Sequence, residues 1–141
     1  MLQGRIIIAG SRDVPITYMQ ITTALRQVRY EPLEVVQGAC PTGADAAARL
    51  WAKLNKVPCR GFPADWDTHG LAAGPRRNRE MARYGQALLA FWDGASRGTA
   101  DMIQAAGQLG LRLHVVRVAG GANEQARRWA AKGWPGRYRG L

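Results

Sequence analysis

Short apolar runs alternate along this chain with segments in which apolar residues recur every three or four positions. A run that is apolar at consecutive positions is typical of a strand buried on both faces of a sheet. Residues 5–9 form such a run, and residues 86–92 are the most convincingly buried segment. Segments that also suit strands lie at residues 33–37, 57–62 and 111–118. The segment 57–62 is the weakest, because Pro58 and Gly61 interrupt it. We therefore predict five strands.

Helical periodicity fills the intervals between these strands. The first helix is placed behind Asp13 as its cap, with Pro15 in its first turn. Further helices are predicted after Thr42 and over residues 76–84, 98–109 and 123–132. Strands that alternate with helices form a parallel sheet with helices on both faces. The predicted fold class is α/β, a single Rossmann-like three-layer domain over residues 1–118 with a mostly parallel sheet of about five strands.

The loops after the first four strands hold the most unusual residues of the chain. Right-handed crossovers bring such loops to one edge of a parallel sheet, where ligands of open α/β sheets bind. The loops are 10–12, 38–45, 65–77 and 93–99, and they are rich in Gly, Arg, Asp and Trp. We predict a ligand site there, formed by Gly10, Ser11, Arg12, Gly38, Thr42, Gly43, Asp45, Asp65, Trp66, His69, Gly74, Arg77, Asn78, Asp93, Ser96, Arg97, Gly98 and Thr99.

The second and fourth loops suit an anion, because each runs into a helix whose first N–H groups and dipole attract negative charge. In the second loop, the alternative is that Thr42 and Asp45 form a capping pair. The loop has neither the Walker nor the GxGxxG pattern. In the fourth loop, Ser96, Gly98 and Thr99 offer hydroxyls and amides to a phosphate.

The third loop suits a nucleoside. Trp66 between two acids is predicted to stack a base, with Asp65 and Asp93 binding ribose; the alternative is a tryptophan that plugs the edge of the core. Three arginines within residues 76–79 are placed at a helix N-terminus, where they oppose the helix dipole. A bound phosphate would relieve that conflict, which is of the kind found at functional sites.

The net charge of +10 favours an anionic partner, either a nucleotide or a nucleic acid. Part of the excess lies in the basic C-terminal extension 119–141, where five basic residues accompany Glu124 alone. No apolar run is long enough to span a bilayer, and the N-terminal residues lack a signal-peptide pattern. A cytoplasmic protein with two free thiols, Cys40 and Cys59, no metal site and no membrane contact is therefore expected.

Four segments in order closely resemble the YspA-type branch of the SLOG superfamily, which is related to DprA and to the Lonely Guy phosphoribohydrolases. The segments are GSRD, GACPTGAD, FPADWDTHGLAAGPRRNREM and AFWDGASRGTADM, and they lie between Arg5 and Val118. The resemblance implies a doubly wound α/β fold that binds a nucleotide or a nucleotide-derived signal. It implies bacterial or phage origin, and the reaction stays open because many members are of unknown function.

The Lonely Guy enzymes cleave the N-glycosidic bond of nucleoside 5′-monophosphates. Their arginine-rich helix resembles residues 76–81, and their PGGxGTxxE loop resembles residues 94–102 in part. The catalytic glutamate of that motif falls on Met102, and Asp101 is one position early, a rotation of about 100° on a helix. If this chain is an enzyme of that kind, the catalytic candidates are Arg77, Asp101 and Asp93.

Three hypotheses follow. The first is a sensor or processing domain that binds an AMP-, NAD- or ADP-ribose-like nucleotide at the carboxyl edge of the sheet, with no certain cofactor beyond that ligand. The second is a nucleotide N-glycosidase. The third is a DNA- or RNA-binding protein that uses its basic C-terminal extension. A homodimer is compatible with each, and Trp129 and Trp134 are candidate interface residues.

Overall fold

A computed structural model describes residues 1–119, in which five parallel strands form one sheet with the order β3–β2–β1–β4–β5. The strands are β1 (Leu2–Gly10), β2 (Tyr30–Gln37), β3 (Cys59–Gly61), β4 (Ala87–Trp92) and β5 (Arg112–Arg117). The helices are α1 (Tyr18–Val28), α2 (Gly43–Leu54), α3 (Trp66–His69), α4 (Ala73–Tyr84) and α5 (Arg97–Gln108), and a 3₁₀ turn at Gly70–Ala72 joins α3 to α4. The predicted α/β class and parallel sheet are confirmed.

The sheet separates two apolar layers. Ile6 and Ile8 of β1 pack towards α1 and α2, whereas Ile7 and Ala9 of the same strand pack towards α4 and α5. All six residues of β4 are buried. Both faces of the central strands are therefore covered, which is why their sequences are apolar at every position.

The first helix begins later than the sequence suggested. Its N-cap is Thr17, whose hydroxyl accepts from the N–H of Gln20 while the Gln20 side chain accepts from the N–H of Thr17. The cap predicted at Asp13, with Pro15 in the first turn, is wrong. The capping box satisfies two N–H groups at the helix start, which favours this boundary over the earlier one.

Helix α4 begins at Ala73 rather than at residue 76. Pro75 is its third residue, where the missing N–H costs nothing because first-turn N–H groups have no partner within the helix. The arginines at 76, 77 and 79 therefore begin in the second turn. The predicted conflict between these arginines and the dipole at the helix N-terminus is wrong, since that effect is confined to the first turn.

Other boundaries differ less. β3 is a three-residue strand at the edge of the sheet, shorter than the predicted 57–62 and exposed along its length. Cys40 and Cys59 are both free thiols. Across residues 1–119, no helix is both long and apolar enough to cross a membrane. The predicted helix at 123–132, and the extension apart from Ala119, lie outside the described residues.

Candidate functional site

A cleft of about 840 Å³ opens at the carboxyl edge of the sheet. It lies where the chain order reverses, because β1 continues to β2 on one side while β4 lies on the other. Fourteen of the predicted residues line it, namely Gly10, Arg12, Gly38, Thr42, Asp45, Trp66, Gly74, Arg77, Asn78, Ser96, Arg97, Gly98, Thr99 and Asp101. Loops that are far apart in sequence thus meet at one cavity.

Two predicted residues stand behind the cleft wall instead of in it. Gly43 adopts φ +66°, and a Cβ there would lie 3.1 Å from the carbonyl oxygen of Ser11. Glycine thus lets the start of α2 approach the loop after β1. The Ser11 side chain is buried, and its hydroxyl helps to lower the pKa of the nearby Asp93 carboxyl. Neither residue lines the cavity.

Asp65 and Asp93 shape loops instead of facing the cleft. Asp65 caps α3 by accepting from the N–H of Thr68, and hydrogen bonding by Thr68 lowers the pKa of its carboxyl. Asp93 accepts from the N–H groups of Ala95 and Ser96, at 2.9 Å each. Burial opposes the charge of Asp93, but these bonds outweigh it and its pKa is lowered. Neither carboxylate lines the cavity, so the structure does not bring them to a ribose there. His69 ends α3 and does not line the cavity either.

One wall of the cleft is built around Gly38. The Arg77 guanidinium donates from Nη1 to the carbonyl oxygens of Gly38 and Phe62. A Cβ on Gly38 would lie 2.5 Å from that Nη1 and 3.0 Å from Oδ2 of Asp45, so any larger residue there would have to displace the Arg77 guanidinium. Burial lowers the pKa of Arg77, against the nearby charge of Asp45. Burial likewise raises the pKa of Asp45, although the N–H of Cys40 donates to its carboxylate at 3.0 Å. The alternative of a capping pair between Thr42 and Asp45 is wrong, since Thr42 makes no side-chain cap bond.

Asn78 connects this wall to the opposite one. Its side chain is 4% exposed, and its Oδ1 accepts from Nε of Arg77 at 3.0 Å. Its Nδ2 donates to the carbonyl oxygen of Gly98 at 3.2 Å and to Oδ2 of Asp101 at 2.9 Å. Both the oxygen and the nitrogen of the Asn78 amide are thus hydrogen-bonded, and these bonds fix helix α5 relative to helix α4.

Two further polar residues support the site and were not predicted from the sequence. Gln37 is 3% exposed, and its Oε1 accepts from the N–H of Ala39 at 2.6 Å and from Arg49 at 3.1 Å. Arg49 also donates to the carbonyl oxygen of Cys40 at 2.8 Å. Both hold the loop that follows β2. The sequence offers one signal for Gln37, since it is a polar residue at the end of a strand and directly before a predicted ligand-binding loop.

The N-termini of two helices face the cleft. Ser96 caps α5, since its hydroxyl accepts from the N–H of Thr99 at 3.4 Å, while Arg97 and Gly98 of the first turn are exposed. No side chain caps α2 after Thr42. Unpaired first-turn N–H groups and the helix dipoles give this end of the cleft a positive potential. The arginines at 12, 77 and 97 add to it, and the carboxylates at 45 and 101 oppose it.

Large apolar side chains stand at the mouth of the cleft. Trp66 is 47% exposed, and the Arg12 guanidinium lies 5.8 Å from the centre of its ring. A Cβ on Gly74 would lie 3.3 Å from the same ring, so α4 supports the indole from behind. Leu71 is 94% exposed beside it and also lines the cavity. The alternative that Trp66 plugs the edge of the core is therefore wrong.

The acid on the α5 side of the cleft is Asp101. Met102, at the position of the glutamate in the resembling motif, is buried with the apolar residues packed on β4 and carries no acid. Asp101 lines the cavity, held by Asn78. Among residues 1–119, no group of three or more His, Cys, Asp or Glu side chains is placed to hold a metal ion.

Comparison with known proteins identifies a family and a relative to which this chain is similar. Residues 4–69 match the model of the YAcAr family, described as the YspA, cpYpsA-related SLOG family. The gene 61 protein of Mycobacterium phage D29 is 36% identical over 117 residues, which cover 76% of this chain and 91% of that protein. The family match includes the loops after β1 and β2 and helix α3, whereas the match to the phage protein spans most of the chain.

Proposed function

We propose, from the premise that this chain belongs to the YspA, cpYpsA-related SLOG family, that it binds a nucleotide or a nucleotide-derived molecule in the cleft. An AMP-, NAD- or ADP-ribose-like compound has the flat base, the hydroxyl groups and the negative charge that the cleft residues complement. The observation that carries the proposal is the meeting of two helix N-termini and three arginines in one cavity beside an exposed tryptophan.

The phosphate is assigned to the α5 end of the cleft. Free N–H groups at a helix start are a ready anion site, and Arg97 and Gly98, the first two residues of α5, are exposed and line the cavity. A Cβ on Gly98 would meet nothing within 4 Å, so there is room for a phosphate against the backbone. The side chains of Arg12 and Arg97 are exposed and supply the countercharge.

The base is assigned to Trp66. Its indole is half exposed, and α4 supports it at Gly74. A base that displaces the Arg12 guanidinium, which lies 5.8 Å from the ring centre, can stack on the indole without rearrangement of the helices. Leu71 stands beside the indole with almost all of its surface in solvent, and a bound base would cover part of it. Burial of these two side chains would favour binding through the hydrophobic effect.

The ribose hydroxyls are assigned to Asp45 and Asp101 rather than to Asp65 and Asp93. Asp45 and Asp101 line the cavity, and each has one carboxylate oxygen, Oδ2, engaged by a neighbouring donor. A carboxylate can accept several hydrogen bonds, so both groups can also accept from a ribose hydroxyl.

Mass spectrometry of small molecules released from the denatured full chain tests the proposal first. Calorimetric titration with AMP, NAD, ADP-ribose and adenosine then ranks the ligands. We expect AMP or one of the diphosphates to bind at least tenfold more tightly than adenosine, since a hydrogen bond to a charged group contributes about 1.5 to 3 kcal/mol. A protein that releases no nucleotide and binds none of the four compounds would contradict the proposal.

Two single variants locate the ligand. Arg97→Gln removes the charge at the proposed phosphate, and Trp66→Leu removes the stacking surface; each is expected to weaken binding by about tenfold or more. Arg79→Gln is the matched control, because Arg79 is exposed on α4 and does not line the cleft. Equal losses in all three variants would mean that net charge or stability, and not this cavity, determines affinity.

A second candidate function is N-glycosidic cleavage of the bound nucleotide. It is favoured by one observation, the presence of a carboxylate on the α5 wall at Asp101 although Met102 replaces the glutamate of the resembling enzymes. A carboxylate so placed can orient water or steady oxocarbenium-like charge. Release of free base from the same four compounds, followed by chromatography, tests it. Turnover should be lost in Asp101→Asn while binding is largely retained; turnover unchanged in that variant would rule out this residue as the catalytic carboxylate.

A further inference from the structure

The positive charge of the described residues is unevenly divided between the two edges of the sheet. Residues 1–119 carry fifteen Lys and Arg against nine Asp and Glu. At the carboxyl edge, in the loops 11–17, 38–45, 62–77, 93–101 and 117–119, five basic residues face six acidic ones. The nucleotide cleft therefore lies on the balanced edge, and it does not account for the excess.

The excess lies at the opposite, amino-terminal edge. Six basic side chains are exposed there, in the last turns of α1, α2 and α4, just after α1 and α2, and at the start of β5: Arg26, Arg29, Lys53, Lys56, Arg83 and Arg112. The acids at this edge are Glu31, which accepts from Gln3, and Glu34, which has a buried carboxylate oxygen. Within residues 1–119, none of the six basic side chains forms an ion pair or a hydrogen bond, so no described residue neutralises their charges.

Helix dipoles explain only part of this arrangement. A cation near a helix C-terminus is favourable, which accounts for one basic residue at the end of each helix. However, α1 ends with both Arg26 and Arg29, and α2 ends with both Lys53 and Lys56. Arg112 begins a strand, where no such dipole acts. The concentration of charge at this edge exceeds what the fold requires.

Two more guanidiniums are fixed in place beside the same edge. Arg5 and Arg60 lie 4.8 Å and 4.6 Å from the ring centre of Tyr84, and Nε of Arg5 donates to the Tyr84 carbonyl oxygen at 2.7 Å. Arg60 also lies over Phe62 at 5.0 Å. Stacking limits the freedom of both side chains, so less conformational entropy is lost when they bind an anion.

We propose that this amino-terminal edge binds the phosphate backbone of duplex nucleic acid. Neighbouring strands lie about 4.8 Å apart, so five strands span about 19 Å, and the helices on both faces widen the surface further. A duplex presents one phosphate charge per about 1.7 Å of its axis and can contact several of these cations at once. Arginine predominates among them, and its planar fork matches phosphate oxygens. The residues of this surface do not line the nucleotide cleft, and they lie outside the basic C-terminal extension in sequence.

The test is fluorescence anisotropy of a labelled 20-base-pair DNA duplex with the full chain, titrated at several salt concentrations. Lys53→Gln combined with Arg83→Gln removes two charges from the amino-terminal edge. The matched control, Arg76→Gln combined with Arg117→Gln, removes two exposed charges from the carboxyl edge. Each phosphate contact contributes about 0.9 to the slope of log K against log salt, so losing two lowers the slope by about 1.8 and weakens binding roughly sixtyfold at 0.1 M salt.

We expect that loss in the amino-edge double variant, a much smaller change in the control, and duplex binding unaffected by added ADP-ribose. Equal losses in both double variants would overturn the proposal, because net charge alone would then explain the binding. An unchanged slope in the amino-edge variant would overturn it as well. So would binding of the full chain to vesicles of phosphatidylcholine and phosphatidylserine without binding to the duplex, since the edge would then suit a membrane surface. None of these outcomes depends on whether the cleft binds a nucleotide.

Discussion

Replacing Asn78 with alanine is expected to lower the free energy of unfolding by about 3 kcal/mol. The substitution removes three side-chain hydrogen bonds, and a typical bond contributes about 1 kcal/mol net. Two of its partners, Arg77 and Asp101, are charged, which strengthens those bonds, but both are partly accessible to water and can be solvated in the variant. The charge of the partners raises the expected loss and their solvation lowers it, so the expected loss stays at about 3 kcal/mol, the contribution of three ordinary hydrogen bonds.

Urea denaturation followed by circular dichroism measures this loss. With an m-value of about 2 kcal/mol per M, the midpoint should fall by about 1.5 M. Arg79→Ala, one position along the same helix and exposed, is the control and should change stability by less than about 0.5 kcal/mol. A loss below about 1 kcal/mol in Asn78→Ala would refute the view that the amide holds α4 and α5 together.

A double-mutant cycle separates the amide's bond to Asp101 from general effects of the cavity left by truncation. The double variant Asn78→Ala/Asp101→Ala should lose about 1 to 2 kcal/mol less stability than the two single variants lose when their losses are added. The reason is that each single substitution already removes the same 2.9 Å bond. Costs that add to within about 0.5 kcal/mol would show that the bond does not couple the two helices.

Three further predictions concern the loops around the cleft. Gly38→Ala should displace the Arg77 guanidinium from the Gly38 carbonyl oxygen and lower the free energy of unfolding by about 2 kcal/mol in the same urea assay. A loss below about 0.5 kcal/mol would mean that Arg77 can shift away from the new Cβ at little cost. Ser96→Ala removes the cap of α5 and should cost about 1 kcal/mol, with Ser96→Gly costing less; equal costs would argue against a capping role. The pKa of Asp93 is lowered from its ordinary value of 3.8 in the folded protein, so the ionised carboxylate stabilises the fold at pH values above 3.8. This stabilisation is lost as the pH falls through the folded pKa. Asp93→Asn should therefore lose less stability than the parent chain on acidification from about pH 6 to about pH 3, and parallel curves would contradict the shift.

The sequence was sufficient for the layer architecture because the central strands are buried on both faces. β4 is apolar at every position, and its register beside β1 pairs Ile6 with Ala87. Patterns of that kind distinguish a parallel sheet from an antiparallel one. The edge strand β3 was predicted too long, since an exposed strand of three residues has no apolar pattern to mark its ends.

Boundaries set by single residues were harder to predict. Gly74 and Pro75 look like helix breakers in the sequence, yet both lie in the first turn of α4. The proline is tolerated because no intrahelical bond is lost there. The glycine is favoured because the Trp66 ring lies 3.3 Å from the position of its missing Cβ. That ring comes from a separate helix, so the reason for the glycine is tertiary.

The site was predicted at the level of loops but not of individual acids. Asp65 and Asp93 follow strands just as ribose-binding carboxylates do, but local N–H groups occupy them. An aspartate two or three residues before an amide commonly forms such a turn, and the sequence does not show which use prevails. The role of Asn78 depends on Gly98 and Asp101, twenty and more residues away, and only the folded chain brings these together.

The position of β1 in the middle of the sheet has a consequence for synthesis of the chain. β2 follows β1 closely in sequence, but the other edge of β1 pairs with β4, whose first residue is Ala87. At about 5 to 20 residues per second, a nascent chain would complete β1 several seconds before β4 exists. Throughout that interval the apolar strand that contains Ile6, Ile7 and Ile8 lacks its second neighbour. The ribosome-bound intermediate thus resembles an unfinished sheet, and it is the stage at which a chaperone or an aggregating neighbour would compete with β4 for the same strand edge.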